Sequence, residues 1–241
     1  MHWDFAVILI FLGALVPWVS RRRIRHLMEL PGTTKMDRLS LYASTFVFQW
    51  LAACVVLWRS IARGLTAPQL GLVASNPGFT AGLAIVLSSL ILLNQLFSLR
   101  RLAANPEDLK GVLPQLALKI FPQDRVERLV FTALVITVAL CEEFIYRGFA
   151  QFVFQDWSGG IVAAGVIGSA VCFALAHLYQ GRRGLASTFA AGVIFSLVRV
   201  WTGSILVPAI AHFVADLTVG FLAPGRLRAV TAANQPSSAQ P

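Results

Sequence analysis

Residues 127–154 read ERLVFTALVITVALCEEFIYRGFAQFVF. The run is long and apolar enough to cross a bilayer, for which a helix needs about 20 mostly apolar residues. Yet Glu142, Glu143 and Arg147 sit in its middle. Charges at the bilayer centre cost at least ~2.5–3.5 kcal/mol each on insertion scales, so they face protein or a cavity and mark function. A span carrying such a cluster belongs inside a bundle of helices.

The rest of the chain supplies that bundle. It is 57% hydrophobic and 13% charged, with a mean hydropathy of +0.72, whereas a soluble domain carries about 25% charged residues. Further apolar stretches lie near 4–20, 39–58, 79–98, 161–178, 185–202 and 203–222. With 127–154 they predict an all-α polytopic transmembrane bundle of about seven spans, the last two joined as a tight hairpin. Placing the N-terminus outside puts Arg21, Arg22, Arg23, Arg25, Arg100, Arg101, Arg182 and Arg183 in cytosolic loops and leaves Arg59 and Arg63 outside, as the positive-inside rule requires. Arg199, near the outer end of its span, is expected to snorkel to the interface.

The net charge of +9 does not indicate nucleic acid, because the basic residues form short runs between apolar stretches. Cys54, Cys141 and Cys172 lie within apolar stretches, as packed, reduced side chains do. Phe5 to Val19 lacks a basic leader and a small-residue cleavage site, so it reads as a retained helix. The chain divides into motif-free helices over 1–104, an interfacial segment with Pro106, Pro114 and Pro122 over 105–126, the polar bundle over 127–223, and a disordered tail over 224–241.

Glu143 and Arg147, four residues apart, share a helix face and can pair. Glu142 points about 100° away, unpaired within its own helix and suited to general-base work. Phe173 and His177 share a face in the next span, and Asp216 stands four residues from His212, placed to orient its imidazole. At 1.5 Å per residue, Glu142, His177 and His212 lie about 18, 24 and 12 Å from their span ends, at mid-membrane depth. Gly165, Ser169, Gly168, Cys172 and Ala176 form small-residue stripes that let helices approach closely.

Glu142-Glu143-x-x-x-Arg147, Phe173-x-x-x-His177 and His212-x-x-x-Asp216, in this order, resemble the motifs of the CAAX-prenyl-protease-2 and bacteriocin-processing family of intramembrane endopeptidases. The resemblance covers roughly 125–223. It implies hydrolysis of a peptide bond in a membrane-associated or prenylated protein or peptide. Glu142 would activate water with help from His177, Glu143 and Arg147 would position that apparatus, and His212 with Asp216 would stabilise the oxyanion. Members with asparagine at the last position can donate an amide hydrogen bond, which an ionised Asp216 cannot. Either Asp216 is protonated, or it aligns His212 so that the imidazole donates.

A zinc-dependent alternative would use Glu142, His177 and His212 as ligands with an open position for water. The chain lacks a His-Glu-x-x-His helix, and the cofactor requirement stays open between none and zinc. The competing class is a non-enzymatic membrane protein, either of the bacteriocin-immunity type or a proton-coupled transporter. Expected partners are membrane lipids and a peptide or prenylated protein, in a bacterial inner membrane. Oligomeric state is not legible.

Overall fold

The computed structural model of the chain describes residues 2–104 and 111–233. Its regular elements among these residues are helices: α1 (Trp3–Glu29), α2 (Lys35–Ala62), α3 (Pro77–Ala104), α4 (Val112–Ile120), α5 (Arg125–Trp157), α6 (Val162–Ala176), α7 (Gly181–Thr202) and α8 (Leu206–Ala233). Six of them, all but α4 and α6, contain segments long and apolar enough to cross a membrane. The protein is an all-α, multi-pass membrane bundle.

The fifth predicted span, 161–178, is corrected to α6, a helix of 15 residues. It rises about 22 Å, short of the ~30 Å hydrocarbon core. The helix stops because His177 takes the C-cap position and bonds back to the Phe173 carbonyl, and Gly181 then turns the chain at φ 78°. The tail is also shorter than expected. Residues 224–233 continue α8 through Pro224, because Ala223 and Leu227 pack with Leu99 of α3 and Ala117 of α4. Residues 234–241 lie outside the described residues. Of the interfacial segment, 105–110 also lies outside them, and Val112–Ile120 of its remainder form α4, with Leu116 and Ala117 buried.

Helix starts follow local chemistry. Thr34 and Asp37 close a capping box at the start of α2, and Asp124 caps α5 by accepting from the Glu127 amide at 2.9 Å. A bond from the Lys35 ammonium at 2.7 Å holds the Asp124 carboxyl below the usual carboxylate range. Lys119 of α4 donates to the Leu27, Met28 and Leu30 carbonyls. Its charge thereby meets the unsatisfied, electronegative end of α1.

α2 and α5 run parallel, aligned by a buried Arg38–Glu127 pair at 2.7 Å, a Tyr42–Phe131 ring contact and a Trp50–Thr137 hydrogen bond. α8 runs antiparallel to α5, with His212 beside Glu143 and Gly220 under the Phe131 ring. α6 runs antiparallel to the end of α5, Gly165 lying against the Gln151 carbonyl and Ser169 donating to the Tyr146 carbonyl at 2.7 Å.

The connection between α2 and α3 dips into the bundle. Leu70 is buried in the core cluster that includes Ile145 and Phe149, and the Gly71 carbonyl accepts from the Ile205 amide at 2.9 Å. Arg199, expected to snorkel, instead donates to the Gln69 carbonyl at 2.5 Å and holds this loop. Arg59 and Arg63 converge on a buried Asp4.

A methyl group added at Gly148 would stand 2.8 Å from the Leu70 carbonyl oxygen, a backbone atom that cannot swing away. Gly148→Ala should therefore cost about 1–3 kcal/mol, the usual range for overpacking, and lower the midpoint of thermal unfolding in detergent. Gly32→Ala, with nothing within 4 Å of the added carbon, should leave that midpoint unmoved.

Candidate active site

The polar centre is built where α5 changes pitch. Its α-helical ladder ends at Glu143, and Phe144–Ala150 form a π-helical segment before the α-helix resumes at Gln151. Such widened turns recur at functional sites. Here one backbone consequence is visible: the Tyr146 carbonyl receives both the Gln151 amide and the Ser169 hydroxyl.

Glu143 and Arg147 are both fully buried, at 0% exposure, and pair at 2.9 Å through Glu143 Oε1 and Arg147 Nη1. The same oxygen lies 2.9 Å from Nδ1 of His212 on α8. The Arg147 guanidinium carbon is 4.0 Å from the centre of the Phe173 ring and 5.4 Å from that of Phe195. Unpaired, either ion would cost several kcal/mol to bury. The carboxylate instead meets two donors, and the guanidinium meets a carboxylate and two aromatic faces.

Nε2 of His212 lies 3.5 Å from Oδ2 of Asp216, whose side chain is 43% exposed and forms the rim of the site. This contact is longer than a good hydrogen bond, so Nε2 is the freer of the two ring nitrogens. In His177, Nδ1 lies 2.8 Å from the Phe173 carbonyl. A carbonyl only accepts, so Nδ1 carries a proton, and in the neutral ring that leaves Nε2 as the lone pair.

Phe173 holds these groups apart and in register. Its ring centre lies 4.7 Å from that of His177, 5.9 Å from that of His212 and 5.3 Å from that of Tyr146. Glu142 faces elsewhere, as the helical rotation predicts. Its Oε1 accepts from Nε2 of Gln49 on α2 at 2.7 Å, while its Oε2 is buried with no protein partner. Tyr179, 5.8 Å from His177 between ring centres, lies within electrostatic reach of both Glu142 and Asp216.

The structure thus joins Glu143, Arg147, His212 and Asp216 through direct contacts, ties His177 to them through Phe173, and turns Glu142 toward α2. Gln49 and Phe195 were not identified from the sequence. Gln49 did carry a signal, as an amide between Phe48 and Trp50 in an apolar run.

The three proposed zinc ligands do not form a ligand set. Among the described residues no group of three or more His, Cys, Asp or Glu side chains is disposed to hold a metal ion. Both nitrogens of His212 face carboxylates, and Glu142 is engaged by Gln49. Cys141 and Cys172 are buried free thiols, and Cys54 is an exposed one.

No curated protein and no solved structure matches the chain. The model of the family described as type II CAAX prenyl endopeptidase Rce1-like matches residues 125–218, the stretch from the start of α5 to two residues beyond Asp216. All the motif residues fall inside it. Residues 125–218 are thus similar to the type II CAAX prenyl endopeptidase Rce1-like family.

Proposed function

We propose that the protein is an intramembrane endopeptidase that hydrolyses a peptide bond of a membrane-associated or prenylated substrate with water activated by Glu142. One observation carries this reading. Oε2 of Glu142 and Oε2 of Glu143 are both buried with no protein partner, but Glu143 is tied through Oε1 to Arg147 and His212, whereas Glu142 meets only the neutral amide of Gln49. The cluster consumes its own charges, so Glu142 is the carboxylate left to accept a proton.

Water adds to the scissile carbonyl carbon as its proton passes to Oε2 of Glu142. His177 orients that water, accepting its second hydrogen at Nε2. The carbonyl oxygen becomes an oxyanion, and His212 donates to it from Nε2–H. Glu143 anchors Nδ1 of His212, and Asp216 lies beside Nε2 at 3.5 Å. Of the two roles open to Asp216, aligning His212 is the one the 3.5 Å contact supports. Glu142 then returns its proton to the departing amine, and the peptide bond breaks into acid and amine.

The test is cleavage of a farnesylated fluorogenic peptide and a membrane-peptide library by the purified full chain, with products identified by mass spectrometry. Wild type should cut, and His177→Ala should lose about 10²-fold or more in rate, the scale of a lost acid–base partner. A chelator should have no effect. Chelator sensitivity rescued by zinc would overturn the metal-free mechanism. A folded protein that cuts nothing would shift the assignment to binding or proton-coupled transport.

A further inference from the structure

We propose that Gln49 is a positioning residue for Glu142, supplied by the motif-free N-terminal half of the chain. The proposal rests on reading Glu142 as the base. Gln49 lies on α2, outside the matched residues 125–218, flanked by Phe46, Val47, Phe48, Trp50 and Leu51. An amide in such a run is costly in hydrocarbon unless it finds a partner. This one is buried, and its Nε2 reaches Oε1 of Glu142 at 2.7 Å.

The register of the α2–α5 pair leaves Gln49 little choice of height. Arg38 is tied to Glu127, the Tyr42 ring to Phe131 and Trp50 to Thr137. Two rigid helices therefore deliver the donor and the acceptor to the same level.

The chemistry of the donor suits a base. A lysine or arginine here would pair with Glu142 as Arg147 pairs with Glu143, and would suppress its basicity. The neutral amide engages one oxygen, fixes the carboxylate plane and leaves Oε2 to take the proton. Loss of the amide frees the Glu142 side chain to rotate. Catalysis is sensitive to such displacement, because misplacement by about 1 Å can cost 10²-fold.

The experiment uses the full chain and the farnesylated fluorogenic peptide, with Gln49→Met, which keeps the side-chain length and removes the donor. We expect kcat to fall roughly 10–100-fold with KM nearly unchanged and the unfolding midpoint close to wild type. Gln49→Leu serves if the methionine variant does not fold. In a Glu142→Asp background, where the shortened carboxylate is out of reach of Gln49, the same substitution should cost little further. A folded Gln49→Met enzyme with wild-type kcat overturns the proposal. So does an equal cost in both backgrounds, which is the mark of a structural role.

A second readout needs no substrate. The infrared carboxylate band that vanishes in Glu142→Gln should shift in Gln49→Met, and an unshifted band overturns the bond. Failure of the underlying reading looks different: Glu142→Gln itself would then keep its turnover.

Discussion

Glu142→Gln should abolish turnover while leaving the protein folded. The substitution exchanges one oxygen for an NH₂ group and changes little else. Gln49 Nε2 can still donate to the amide oxygen that replaces Oε1, so the contact between α2 and α5 survives. The loss is the proton acceptor, worth about 10²–10⁴-fold in rate. If KM is unchanged and kcat falls, the missing interaction belongs to the transition state alone. The measurement is kcat and KM on the farnesylated peptide, alongside the unfolding midpoint. Turnover near that of wild type would remove Glu142 from the mechanism and shift the chemistry to the remaining groups of the site, with Glu143 as its carboxylate.

Arg147→Met should produce a large loss of stability. The side chain is wholly buried, pairs with Glu143 and rests on two aromatic rings. Removing it leaves Glu143 buried with His212 as its remaining donor, and breaking a buried pair from one side typically costs about 3–5 kcal/mol. The double variant Glu143→Gln/Arg147→Met removes both charges and should recover most of that loss. Unfolding in mixed micelles reads both effects. If the double variant costs as much as the sum of the two single ones, the charges are not coupled, and the site needs another account.

The spans and their polar interruptions were legible in the sequence because hydrocarbon leaves few alternatives. Apolar runs become helices, and a buried glutamate four residues from an arginine finds it. The divergence of Glu142 from Glu143 followed from helical rotation alone. Three features were not legible, each for a tertiary reason. The length of α6 is set by the His177 ring bonding back to Phe173 and by the turn at Gly181, while the apolar composition runs on to Leu178. The burial of Leu70 depends on a core cluster that includes Ile145 and Phe149, which arrive much later in the chain. Gln49 is an ordinary polar interruption until the register of α2 against α5 brings it to Glu142. Local sequence carries the helices and the charge pair, whereas the partner of the base comes from packing between distant segments.

The widened turn of α5 makes chain length an angular setting. An α-helix advances about 100° per residue, and the extra residue in a π-turn offsets everything before it from everything after it. The glutamates lie on the near side of Phe144–Ala150, and Gln151, which reaches the Ser196 carbonyl, lies on the far side. Dropping a single residue between them would restore a regular helix with every backbone bond made. It would also change the register of Tyr146 and Arg147, which lie inside the segment, against Glu143 and Ser169. The number of residues in this stretch, and not only the identity of Arg147 and Gly148, therefore sets how the site is assembled.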